Sequence, residues 1–175
     1  MGTIKISRQE MLSRVARFDA LKASPQAFLD TRIPGHERDI FNVIGSGVTE
    51  DAALRPAIAD ARDFNVTYVG ADPGKGAALH SHTTVEVFIP LTGKWTIYWG
   101  DDVEEEVVLN ERDVISVPPG IMRGFRNAGH EHAYLMAITG GTDPGRVAWA
   151  PQVERAAAKT GLALDDKGDL VERVR

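Results

Sequence analysis

From Arg62 onward the chain alternates short apolar runs with turn signals. The runs FNVTYV, VEVFIPL, KWTIYWG, EEVVL, DVISV and HAYLMAIT are rich in β-branched and aromatic residues. Asp72-Pro73-Gly74, Thr92-Gly93, Gly100-Asp101-Asp102, Pro118-Pro119-Gly120 and Asn127-Ala128-Gly129 separate them. Many short strands with little helix between them predict an antiparallel sandwich or barrel rather than a parallel sheet with crossover helices.

The pattern before Arg62 is different. Ser7 and Glu10 have the spacing of a capping box, and Met11, Val15, Phe18 and Leu21 follow at helical intervals. This predicts a helix through MLSRVARFDALK with one face packed on the body of the protein, a partner-binding helix being the other use of such a stripe. Residues 24–60 are mixed text punctuated by Pro25, Pro34, Gly35, Gly45, Gly47 and Pro56. Gly45-Ser46-Gly47 lacks the third glycine and the strand–turn–helix frame of a dinucleotide motif. Near the other end, Pro151 and Gly161 bracket PQVERAAAKTG, the placement expected of a helix start and stop. The closing LALDDKGDLVERVR reads as a turn and an extended tail, and Asp165, Asp166 and Asp169 as a solvated turn that does not fit an EF-hand loop. The expected organisation is therefore an extension over residues 1–61, a barrel over 62–148, and a helix with tail over 149–175.

Composition narrows the function classes. Over 175 residues the chain is 43% hydrophobic and 26% charged, as expected of a globular domain with a sizeable core. The formal net charge of −5 offers no basic face for nucleic acid. The absence of cysteine excludes disulfides, thiol nucleophiles and cysteine-based zinc sites. No apolar run approaches the length of a membrane span, and MGTIKISRQE is too polar for a secretory signal, so a cytoplasmic protein is expected.

The chemistry concentrates in GKGAALHSHTTVEVFIPLTG, residues 74–93. His80 and His82 stand two apart, so on a strand they point to one face, and Glu86 shares their parity if the chain stays extended. Two imidazoles and a carboxylate make a facial set for iron, manganese, nickel or zinc, with positions left open for a substrate. Hydrogen-bonded core histidines are the other use of such a pair.

This segment resembles the first motif of the cupin superfamily: Gly74, then His80 and His82, then Glu86, then Gly93. The second cupin motif is recognisable in RDVISVPPGIMRGFRN, at Pro118, Gly120 and Asn127. The resemblance covers roughly residues 62 to 140. It implies an all-β double-stranded β-helix, the cupin or jelly-roll barrel, here with helical extensions at both ends. The family includes dioxygenases, decarboxylases, isomerases, sugar-binding regulators and storage proteins, and its barrels commonly pair as homodimers.

Two positions depart from the family pattern. Arg123 stands where the second motif usually supplies a third histidine, and Arg112 where that motif normally opens with glycine. A guanidinium cannot ligate a metal, and a dication repels it unless Glu86 or a bound anion lies between them. Three readings follow. His80, His82 and Glu86 hold a divalent transition metal alone, with Arg123 clamping a substrate carboxylate or phosphate; or His130 or His132 supplies the missing ligand; or Arg123 pairs with Glu86 in a metal-free pocket. The first implies a metal-dependent enzyme, dioxygenase-like or isomerase-like, acting on a small anionic or oxygen-rich molecule. The third implies a small-molecule sensor. The remaining polar and aromatic positions are weaker candidates. Tyr68, Thr96 and Tyr98, or Trp95 and Trp99, could face the pocket; Arg126 could be a second anion contact; and Glu104, Glu105 and Glu106 read as a solvated hairpin face.

Overall fold

A computed structural model describes residues 2–173, so Met1 and the last two residues of the expected tail lie outside the described residues. The barrel is built from β1 (Asp39–Ile44), β2 (Phe64–Ala71), β3 (Gly76–Ser81), β4 (Glu86–Pro90), β5 (Trp95–Trp99), β6 (Glu105–Leu109), β7 (Ile115–Val117), β8 (Arg123–Asn127), β9 (Ala133–Gly140) and β10 (Ala148–Trp149). One sheet has the order β1-β2-β9-β4-β7 and the other β10-β3-β8-β5-β6. Consecutive strands β3 and β4 lie in different sheets, as do β4 and β5, so the chain winds back and forth between two antiparallel layers. This is the double-stranded β-helix expected from the sequence. β1 falls within the stretch read as irregular extension. It pairs with β2 across a register shift at Asn42 and widens the first sheet.

Inward residues follow the strand period. Ala133, Leu135, Ala137 and Thr139 alternate with outward neighbours along β9. Phe88, Trp95, Ile97 and Leu135 are fully buried, and Phe125 meets Phe88 and Trp95 edge-on at 5.3 and 5.9 Å. These side chains belong to the apolar core between the sheets. On β5 it is Trp95, Ile97 and Trp99 that face inward. Tyr98, on the opposite face, donates its hydroxyl to the Ala77 carbonyl at 2.6 Å.

The two ends of the chain diverge in outcome. The capping box between Ser7 and Glu10 is formed, but α1 runs only from Arg8 to Leu12. Five residues are too few for a self-sustaining helix. Once the helix breaks, the stripe loses its common face, and Met11, Val15 and Phe18 stay about half exposed instead of packing into the body. Phe18 alone of these makes a defined aromatic contact, lying over Phe41, Tyr68 and Tyr134 on the outer face of the first sheet. At the C-terminal side, α2 (Pro151–Lys159) starts at the proline as expected and buries Val153 and Ala157. The expected tail is a hairpin instead, β11 (Leu162–Leu164) with β12 (Leu170–Glu172). Asp165 closes its turn by accepting the Lys167 and Asp169 amides. No helix among the described residues is long and apolar enough to cross a membrane.

Candidate metal centre

His80 points into the barrel because β3 carries a bulge. The register against β8 shifts between Ala77 and His80, so these two residues, three apart, both face inward. His82 follows just past the end of β3. The chain then turns through Thr83, Thr84 and Val85 and enters the opposite sheet at Glu86. Glu86 therefore meets the histidines from across the barrel, not along one extended strand as parity suggested.

The three side chains are buried, with 5%, 3% and 4% of their residues' surface exposed. Their ligand atoms lie within 4.8 Å of one another, and among the described residues they form a group that could hold a metal ion. The details fit such an ion. His80 Nδ1 lies 2.7 Å from the Ala78 carbonyl, which can only accept, so Nδ1 carries the proton and Nε2 presents a lone pair. That is the arrangement usual for metal-bound imidazoles. Neither ring nitrogen of His82 has a hydrogen-bond partner among the described residues, although both are buried. A buried polar atom without a partner is costly, and a cation would satisfy it. Burial pushes the His80 imidazolium well below its ordinary pKa, with the Arg123 charge acting in the same direction, so the ring is neutral and ligand-competent.

Arg123 is fully buried directly across from His80 in the β3–β8 pairing. Its Nε and Nη2 donate to Glu86 Oε2 at 3.0 and 2.7 Å, and Nη1 donates to the Ile121 carbonyl at 3.1 Å. Glu86 thus stands between the guanidinium and the histidines. Burial alone would push the Glu86 carboxyl up, but the neighbouring His82 and the Arg123 guanidinium hold it at about 2. His82 Nε2 is 3.4 Å from Oε2, too long for a good hydrogen bond. Arg123 is therefore the main hydrogen-bond partner of the carboxylate.

The histidines and Glu86 line a cavity of about 40 Å³ together with Thr67, Thr139, Phe125 and Trp149. That is room for an ion and one or two water-sized ligands. The expectation that Arg123 clamps a substrate anion meets a different geometry. Arg123 is committed to Glu86 and lines a separate apolar pocket of about 260 Å³ with Ile97, Trp99, Ile115 and Ile121. The histidine cavity is lined instead by Arg38, which packs on the Phe28 ring and pairs with buried Asp30 at 2.9 Å. Its Nε has no partner among the described residues. His130 and His132 are exposed, and His132 pairs with Asp72 at the surface, so neither joins the site. Arg126 is a half-exposed partner of Glu106.

Sequence reasoning missed Arg38, Asp30, Thr139 and Glu50. The strand period of HAYLMAIT was enough to find Thr139, the inward residue paired with Glu86 across β4 and β9. The others adjoin apolar residues in text without a clear period. Glu50 is 4% exposed and accepts from Trp149 Nε1 at 2.7 Å and the Leu29 amide at 2.6 Å, holding the indole that packs on His80. Burial pushes its carboxyl up to about 7 against these hydrogen bonds.

Comparison with known proteins follows the same lines. The family described as the cupin domain matches residues 67–139. Among solved structures, the polyketide cyclase RemF from Streptomyces resistomycificus is similar at 17% identity and a TM-score of 0.57, covering 77% of this chain and 82% of that one. An RmlC-like cupin from Shewanella frigidimarina shares 14% identity with a TM-score of 0.50, over 75% and 90%. An oxalate oxidase in complex with the substrate analogue glycolate shares 18% identity with a TM-score of 0.52, over 74% and 63%. No curated protein matches the sequence.

Proposed function

Because the chain belongs to the cupin superfamily through residues 67–139, we propose that it is a metal-dependent cupin enzyme acting on a small anionic or oxygen-rich molecule. Fold does not choose the reaction, since a polyketide cyclase and an oxalate oxidase share this one. The single observation that carries the reading is His82, buried with neither ring nitrogen hydrogen-bonded among the described residues, beside a lone-pair-bearing His80 and an ionised Glu86. His80, His82 and Glu86 would hold the ion, and two histidines with one carboxylate suit iron, manganese, nickel or zinc. When bound, the metal supplies Lewis acidity or dioxygen activation at its open positions.

The protein's own groups do the rest. Ala78 keeps the His80 proton on Nδ1, and Arg123 keeps Glu86 ionised and oriented through Oε2. Arg38, its charge balanced by Asp30, and Thr139, the β9 partner of Glu86, line the cavity in which a substrate would sit. Phe125, Trp149 and Ala137 keep bulk water out, which strengthens every charge contact inside.

A second reading, a metal-free cupin that binds a small molecule without turning it over, is favoured by the Arg123–Glu86 pair itself. Plasma mass spectrometry on untagged protein, beside a His80→Ala/His82→Ala variant, separates the two. About one equivalent of a transition metal, lost in the variant, is expected. No metal even after anaerobic reconstitution would overturn the enzyme reading and leave the sensor.

A further inference from the structure

The bulge that turns His80 inward leaves backbone groups of β3 without a strand partner. At Ala78 the free N–H is taken by Asp30 Oδ2 at 2.8 Å, and the carbonyl of the same residue accepts His80 Nδ1 at 2.7 Å. Asp30 is fully buried and comes from the N-terminal extension, far from either cupin motif in sequence. Arg38 holds it through Nη1 and Nη2 at 3.0 and 2.9 Å, and Arg38 Nη1 also reaches the His36 and Gly76 carbonyls.

We propose that Asp30 is a positioning residue of the metal centre: it pins the β3 bulge at Ala78 and so fixes the carbonyl that sets the tautomer and aim of His80, while Arg38 neutralises its charge. The proposal rests on the metal reading above. An apolar pair at positions 30 and 38 would cover the same strand without desolvating two charges. It would leave the Ala78 amide without an acceptor, and the bulge free to shift toward ordinary pairing. A one-residue correction of the register would turn His80 out of the barrel, because strand side chains alternate. The carboxylate thus does for His80 what the adjoining strand does for its neighbours.

Removing one charge of a buried pair strands the other and reports mainly on unfolding. The informative comparison is between two double variants that both lack the pair, Asp30→Asn/Arg38→Met and Asp30→Leu/Arg38→Met. Asn and Leu are similar in size, but only Asn offers an oxygen to the Ala78 amide. Zinc affinity, read by competition with a chromophoric chelator, is expected to stay near that of the parent in the Asn variant. In the Leu variant it should fall about 10- to 100-fold, as for other groups that orient metal ligands. In metal-free protein, nitrogen-15 spectra should show His80 protonated at Nδ1 in the parent and the Asn variant, and a mixture of tautomers in the Leu variant. Equal zinc affinity and the same tautomer in both variants would overturn the proposal. If the parent takes up no zinc, the metal reading fails, and the tautomer comparison alone decides the role of Asp30. If the Leu variant does not fold, hydrogen exchange in the parent decides: an Ala78 amide as protected as the core strands supports the pin, and fast exchange overturns it.

Discussion

Replacing Glu50 by Gln removes the buried carboxyl that ties the Leu29 amide to the Trp149 indole. Its folded pKa of about 7 lies above the ordinary 4.5. A raised acid favours the folded state fully below pH 4.5, and that advantage is lost as pH rises through 7, because the unfolded chain gives up its proton first. From well below pH 4.5 to well above pH 7 the loss amounts to about 3 kcal/mol, most of which falls between pH 5 and pH 8. His80 contributes the opposite slope, since its folded pKa lies below the ordinary 6.5 and its stabilisation is lost as pH falls. The difference between parent and variant removes most of the His80 contribution, which both proteins share, and leaves chiefly that of Glu50. Gln has one acceptor where two N–H groups converge, so the variant also carries a constant cost that does not depend on pH. Urea unfolding at several pH values between about 5 and 8 measures the difference. The parent is expected to lose on the order of 2–3 kcal/mol relative to the variant over this range. Parallel pH curves for the two proteins would refute the claim that burial outweighs the two hydrogen bonds.

Two further substitutions test the site and its frame. Arg123→Met leaves the Glu86 carboxylate buried without its cation and should cost about 3–5 kcal/mol in chemical unfolding, most of it recovered in Glu86→Leu/Arg123→Met; a double variant no more stable than the single one would show that the stranded charge is not the cause. Arg112 is exposed at a backbone φ of 70°, a left-handed conformation that favours glycine. Arg112→Gly should therefore stabilise by about 0.5–1 kcal/mol and raise Tm by about 2 °C in calorimetry, and an unchanged or lowered Tm would contradict this.

The strands were legible where apolar alternation and turn residues coincided, as in HAYLMAIT, which is β9, and KWTIYWG, which contains β5. His80, His82 and Glu86 were legible as types at a spacing. How they meet was not, because their convergence depends on a bulge and a crossing between sheets, and neither leaves a mark in hydrophobic period. β1 was hidden because DIFNVI sits in text crowded with glycine and proline. The N-terminal stripe misled for the opposite reason: its period is genuine, but period alone does not supply enough helix to present one face. Arg123 was recognised as the residue that decides the character of the site, and its partner among the three readings is Glu86. The charges that hold the site from outside, Asp30, Arg38 and Glu50, lie in stretches where sequence offers only the oddity of a charge beside buried apolar neighbours.

The Arg123–Glu86 bond bears on the order in which this protein is assembled. Small zinc domains cannot fold until the ion arrives, because their ligands repel or strand one another without it. Here the one formal negative charge among the three ligands already has a cation of its own, supplied by the chain. The barrel can close, with its interior electrically balanced, on an ion-free ribosome product. On the proposed reading a metal would enter a finished vessel and bring net positive charge into it, so loading would be separate from folding, and an anion following the metal in would restore the balance.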